Sequence, residues 1–419
     1  MSDSELVQVT FISRHSVRAP LQSELDAVAP FVTRPWPEWD VPAAQLSAHG
    51  RAICRHLGRW WRDFYGPQLS ASGPPSDWIY LRADSLQRDI DTGVEWLRGF
   101  LGDDADTVPV DHLPLGESTT YDPIFMPITT GMVQVGDVRT SLLGRMGGSL
   151  DTAIRSIRRP LKLIQDVLGT AIVQPELYGV ANEIEADGTV RGTLMVAQIA
   201  SDMFIMQRAD GWDMQKVAWG RIDQADLLDI ARTRAFVDNL LMRSPMYARA
   251  QASNLLAHIL AGMDQAITGR QVPGMPFGPE KRLVGWIGHD TNVEAVGSLL
   301  GVSWIPDGWV QFQAPPAGAH VFELRRDRHS DRYFVRLYFV SMTLDQMALG
   351  APLTLESPPG RGQMSFPHHD RFRSYFDIPF PDFRLLAGVR IDPRAVSGEL
   401  GGFLRGLRPP RPPRVEGPA

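Results

Sequence analysis

The sequence predicts an α/β fold, a mixed sheet flanked by helices, carrying a mainly helical cap. Three observations lead there. Apolar runs of strand length recur at 7–12, 78–81 and 283–287, and each ends in charged residues. A block from about Leu142 to Arg270 reads almost wholly as helix. Two more runs, 319–325 and 333–341, flank RDRHSDR and read as an antiparallel pair. The expected layout is a discontinuous α/β catalytic core over 1–140 and 271–405 and a helical cap over 141–270. A Pro/Arg-rich tail over 406–419 is expected to be disordered.

The bulk numbers narrow the classes. A chain of 419 residues is long enough for more than one domain. Its formal net charge of −6 argues against nucleic acid as the main partner, so any anion site must be a local basic pocket. No apolar run approaches the length of a membrane span. Cys54 is the single cysteine, which excludes an intrachain disulfide. MSDSELVQ has neither a basic nor an apolar leader region, so a cytoplasmic home is expected; a periplasmic home requires a leader that was removed. The oligomeric state is not readable.

The chain is then taken in order. Val7, Val9, Phe11 and Ile12 read as a strand covered on both faces. It ends in Arg14, His15 and Arg18, where strands of α/β sheets deliver functional groups. A lone imidazole between guanidiniums suits a neutral imidazole facing a polyanion. Phe31 to Pro42, with WPEWDVP, reads as a loop whose tryptophans pack. Residues 46–65 form a helix capped by Ser47. His49 and His56 on it are seven apart, not the four of a metal pair, and read as structural.

After WIYL comes ADSLQRD and a helix with Ile90, Val94, Leu97 and Leu101 on one face. Arg88 lies in its first turn, where a cation opposes the helix dipole. It either faces an anion or pairs with a carboxylate such as Asp84. Residues 102–125 are irregular, GDDAD is a solvated turn, and His112 has no assigned role. In the helical block, Leu150 to Leu168 form one apolar stripe broken at Pro160, with a solvated basic face. Residues 194–209 and 224–269 continue as helix, and ADGWDMQKVAWGRI reads as a loop returning toward the core. LVGWI ends in Gly288-His289-Asp290-Thr291, with helix from Asn292 onward. His368 and His369 lack metal-ligand spacing, and no metal site is expected.

Three strand ends thus offer Arg14, His15 and Arg18; Arg88; and His289 with Asp290. Together they suffice for phosphomonoester cleavage through a phosphohistidine. The arginines neutralise phosphoryl oxygens, His15 attacks in line, and Asp290 protonates the leaving alkoxide. The guanidiniums supply the positive charge, so no cofactor is required.

RHSVRAP, SLQR and GHDTN together resemble the histidine acid phosphatases, whose pattern is RHGxRxP near the N-terminus and HD near the C-terminus. WPEWDVP, LSAHG, DPIFMP, QKVAWGRI and PAGAHVFELRR are similar to their counterparts in the family's bacterial glucose-1-phosphatase and phytase branch. The resemblance runs to about Val389. It implies a phosphoglycerate-mutase-like core with a helical cap and a site between them. It also implies His15 as nucleophile, Asp290 as proton donor, and Arg14, Arg18, Arg88 and His289 as phosphate ligands. Ser16 replaces the family's usual glycine, and either narrows the space beside His15 or adds a hydroxyl to the pocket. Leu21-Gln22 replaces the Thr-Lys pair of the phytases and removes a cation. Asp210 falls where glucose-1-phosphatases carry an acidic residue that restricts the substrate. The expected substrate is a small phosphate ester, a glucose 1-phosphate-like sugar monophosphate. The alternatives are transfer of the phosphoryl group to an acceptor alcohol, phytate hydrolysis, or non-catalytic binding of a phospholigand.

Overall fold

The computed structural model describes residues 4–69, 73–114, 121–367, 374–396 and 398–406. His368, His369 and the tail from Leu407 lie outside the described residues.

Ten strands occur among the described residues: β1 Ser4–Arg14, β2 Ile79–Ala83, β3 Val110–Asp111, β4 Leu283–Gly288, β5 Ala319–Asp327, β6 Tyr333–Ser341, β7 Gly360–Met364, β8 Phe366–Pro367, β9 Ser374–Tyr375 and β10 Asp377–Pro379. Eight form one sheet in the order β10-β6-β5-β1-β4-β2-β3, with β7 also on β6. β1, β4, β2 and β3 run parallel, whereas β5, β6, β7 and β10 pair antiparallel, so the sheet is mixed. The register matters most for function. Arg14, the last residue of β1, pairs with Gly288, the last of β4, and Ala83 at the end of β2 pairs with Ile287. Three strands therefore stop at one level, and the residues after each emerge side by side.

Both faces of the parallel part are covered, which explains its continuous apolar runs. On one face Phe11 packs against Trp61 and Trp96, with ring centroids 5.0 and 5.3 Å away, from helices Ala48–Leu69 and Gln87–Leu101. On the other, Ile12 and Trp286 pack with helices Pro245–Thr268 and Asp290–Leu300. Helices 48–69 and 87–101 cross where Gly58 and Gly99 stand; a Cβ at Gly58 would lie 2.0 Å from Trp96 O, and one at Gly99 2.2 Å from Arg55 O.

Several expectations shift. Helix 87–101 buries Arg88, Thr92, Gly93, Trp96 and Phe100, while Ile90, Val94 and Leu101 are only half-buried. The helix is wedged between the sheet and helix 48–69, so two of its sides are covered and the apolar stripe alone misjudges its inner face. The 150–168 stripe breaks at Ile157, between helices Leu150–Ser156 and Arg158–Leu168. Pro160 thereby falls in the first turn of the second helix, where its missing N–H is harmless. The 224–269 segment is two helices, Gln224–Met242 and Pro245–Thr268; Pro245 at the first helical position starts the second. The 290–300 helix begins at Asp290 rather than Asn292. Between β3 and β4 no strand joins the sheet among the described residues. Its helices there include Thr193–Ala209, and the 210–222 loop returns onto the WPEWDVP segment. Trp36 packs on Trp219 at 4.7 Å, Trp39 on Trp212 at 5.1 Å, and Trp219 Nε1 donates to Pro35 O. Among the described residues no helix is long and apolar enough to cross a membrane.

Candidate active site

Backbone bonds tie the three strand ends together. His15 N donates to Gly288 O at 2.7 Å and Asp84 N to Ile287 O at 2.9 Å. Arg14, His15, Arg18, Arg88, His289 and Asp290 all come to this end of the sheet. The His15 and His289 rings meet edge-on, 5.8 Å apart. His15 is almost fully buried, and its Nδ1 faces Ser16 O at 2.8 Å. That contact puts the N–H on Nδ1 and leaves the Nε2 lone pair as the nucleophilic site of a neutral ring. Burial, then Arg88, Arg14, Arg18 and His289, hold the His15 pKa well below the usual imidazole value.

The three arginines are not alike. Arg14 donates to Ala314 O and to Asp202, and its Nη2 lies 3.2 Å from Asp290. Arg18 grips Glu24 with both terminal nitrogens, at 2.9 and 2.8 Å, and reaches Asp202 at 3.5 Å. Glu24 also accepts from Leu21 N, so it fixes the start of helix Gln22–Val28 and the Arg18 fork together. Arg88 is the least committed. It does not pair with Asp84; among the described residues its closest carboxylate is Asp89, 3.9 Å from Nε, and that Nε has no hydrogen-bond partner. Asp84 is taken instead by His289 Nε2 at 2.8 Å and by the backbone N–H groups of Ser85 and Asp122. This fixes the ring of His289 and leaves its Nδ1 edge toward Asp89, 3.7 Å away.

Asp290 opens its helix but does not act as a plain cap. Its Oδ2 is held by Arg14 and by Arg234 of helix 224–242. Burial raises its pKa, but the two guanidiniums outweigh burial and leave it low. Arg234 also pairs with Asp202 at 3.4 Å and Asp238 at 2.9 Å. Asp202 of helix 193–209 thus touches Arg14, Arg18 and Arg234 at once.

The specificity candidates separate. Ser16 is fully buried and its hydroxyl donates to Gly50 O at 3.0 Å, while its N–H donates to Thr92 Oγ1. The hydroxyl pins the loop to helix 48–69 instead of adding a donor to the pocket. Gln22 hydrogen-bonds Asp26 and, with Leu25, Trp36, Trp39 and Met203, lines a cavity of ≈ 290 Å³ that starts at Ala19 and Pro20; Leu21 stands beside it at the helix start. Asp210 does not join the cluster: Ser47 Oγ donates to its Oδ1 at 2.5 Å and Trp212 Nε1 to its Oδ2 at 3.0 Å. The side chains that reading residues one at a time misses are Glu24, Asp89, Asp202 and Arg234. Asp202 left one trace, a lone acid inside the apolar run LMVAQIASDMFIM. Among the described residues no group of three His, Cys, Asp or Glu side chains is placed to hold a metal ion. Cys54 is buried, which pushes its thiol up to about 12.

Comparison with known proteins points to phosphatases. The model of the histidine phosphatase superfamily (branch 2) matches residues 5–126. Phytase AppA of Escherichia coli is 28% identical over 395 residues, 86% of each chain. A glucose-1-phosphatase of Salmonella typhimurium is 28% identical over 374 residues, 85% of this chain and 86% of that one. The solved structure of Hafnia alvei phytase superposes with a TM-score of 0.81 at 26% identity, covering 95% of this chain and 100% of that one. With an α/β sheet that presents the RH and HD motifs from adjacent strand ends, and with similar proteins matched over most of its length, the chain is a phosphohydrolase similar to the histidine phosphatase superfamily, branch 2.

Proposed function

We propose that the chain hydrolyses a sugar monophosphate such as glucose 1-phosphate through a covalent phosphohistidine on His15. The observation that carries this reading is a buried imidazole ringed by three guanidiniums, with a carboxylate on Arg14. Nε2 of His15 attacks phosphorus as the ester P–O bond breaks. Arg14, Arg18, Arg88 and the Nδ1 edge of His289 hold the non-bridging oxygens. Asp290 protonates the departing alkoxide. Beside Arg14 and Arg234 it is a carboxylate, but a phosphoryl dianion competes for Arg14 and raises its proton affinity. Water then attacks the phosphohistidine, Asp290 takes its proton, and phosphate leaves with His15 restored.

Phytate is the second reading, supported by the likeness to AppA and to Hafnia alvei phytase. Against it stands the cavity beside Pro20, whose lining residues include Gln22 and Glu38 but no lysine or arginine. A substrate with six phosphates wants cations there. The test is a panel of sugar monophosphates and phytate, with and without added alcohols, following both free phosphate and phosphorylated acceptor. Glucose 1-phosphate is expected to exceed phytate in kcat/KM with free phosphate as product. Preference for phytate would move the assignment there, and a dominant transfer product would make the enzyme a phosphotransferase. His15→Ala should remove turnover by about 10⁴-fold or more and abolish the acid-labile phosphoenzyme.

A further inference from the structure

Asp89 has no part in the mechanism above, yet it sits among the groups that do. It lies in the first turn of helix 87–101 and is wholly buried, and among the described residues neither carboxylate oxygen accepts a hydrogen bond. Its charged contacts are Arg88 Nε at 3.9 Å and His289 Nδ1 at 3.7 Å. Those are the two proposed phosphate ligands whose donors are otherwise uncommitted. Asp84, the other carboxylate beside His289, has three N–H groups on it. A buried carboxylate with no donor loses its hydration for nothing in return unless it carries or shares a proton.

We propose that Asp89 is part of the phosphate pocket and makes that pocket bind a phosphoryl group together with one proton, shared between the Asp89 carboxylate and a phosphoryl oxygen. The inference rests on the phosphatase reading of the site. Two arrangements are equivalent in atoms and charge. Either the Asp89 carboxyl donates its O–H to a fully ionised phosphoryl group, or ionised Asp89 accepts from the P–OH of a monoanion. Two bare anions in that position would repel. The charged groups facing Asp89 are His289, Arg88, Asp84 and Arg18. Burial raises its pKa most, and against the opposing pull of His289, Arg88 and Arg18 it settles at about 7. Below that pH the carboxyl itself supplies the proton; above it the proton must arrive with the ligand.

Sulfate tests this, because it matches the phosphate dianion in shape but brings no proton. Sulfate inhibition of phosphomonoester hydrolysis is to be measured between about pH 5 and 9, and proton uptake on sulfate binding by calorimetry in buffers of different ionisation enthalpy. In the unaltered enzyme, sulfate should weaken by about tenfold per pH unit once Asp89 ionises, with uptake of close to one proton. In Asp89→Asn the weakening should move to higher pH and the uptake should vanish. Asp89→Ser should behave likewise if the amide disturbs folding. A flat sulfate profile in the unaltered enzyme overturns the proposal with no variant needed. So does a profile that stays put or moves to lower pH in Asp89→Asn. Failure of the phosphatase reading looks different: no sulfate competition at any pH.

Discussion

His15 shows how one residue is made competent by its surroundings. Its ring is buried beside three guanidiniums, so the protonated form is disfavoured. In the unfolded chain it takes a proton near pH 6.5, and in the folded chain only at lower pH. The unfolded state therefore binds more protons in that window, so this group makes folding less favourable as pH falls below about 6.5. The same shift keeps the proposed nucleophile available in acid. The acid limb of kcat/KM should lie below the ordinary imidazole range, which a pH–rate profile checks. Asp290 has the opposite task. Asp290→Asn should slow hydrolysis of sugar phosphates by about 10²–10⁴-fold while sparing esters with good leaving groups far more. Single-turnover rates with glucose 1-phosphate and an aryl phosphate measure the difference. Equal losses with both would remove Asp290 from the proton-donor role.

At the scale of elements, the crossing of helices 48–69 and 87–101 sets the pocket wall. Two bare glycines let the backbones approach so closely that a Cβ at Gly58 would overlap Trp96 O. Gly58→Ala should destabilise the fold by about 1–3 kcal/mol, read from urea unfolding midpoints. It should also lower kcat, because Arg88 and Thr92 ride on the displaced helix, and Thr92 Oγ1 accepts the N–H of Ser16 next to the nucleophile. The strands and most helices were legible because periodicity reports burial directly: β1, β2, β4, β5, β6 and helix 48–69 all appear near their expected places. The inner face of helix 87–101 was not. Its stripe marks one apolar side, whereas contact with the second helix is made at Gly99 and Trp96, off that stripe.

At the scale of the molecule, the helices between β3 and β4 supply charges that the sheet end lacks. Asp202 and Arg234 link helices 193–209 and 224–242 to Arg14, Arg18 and Asp290. These groups are buried or mostly buried, so each depends on its partners. Arg234→Ala leaves Asp202 and Asp238 short of a cation and should cost about 3–5 kcal/mol of stability, seen as a lower thermal midpoint. Its kinetic effect should fall on kcat, because Asp290 loses one of the two guanidiniums that place it.

The sequence by itself determined the mixed α/β sheet, the charged strand ends and the six residues proposed for the chemistry. Strand ends are local: an apolar run followed by Arg-His or His-Asp is visible in a few neighbouring letters. Tertiary structure decided which carboxylate each cation meets. Asp84 goes to His289 rather than Arg88, the Ser16 hydroxyl to Gly50, and Asp210 to Ser47 and Trp212. It also brought in Asp202 and Arg234 from helices about two hundred residues after His15. Charge pairing acts through space between side chains a few ångströms apart, and only the register of β1, β2 and β4 and the docking of the helices set those separations.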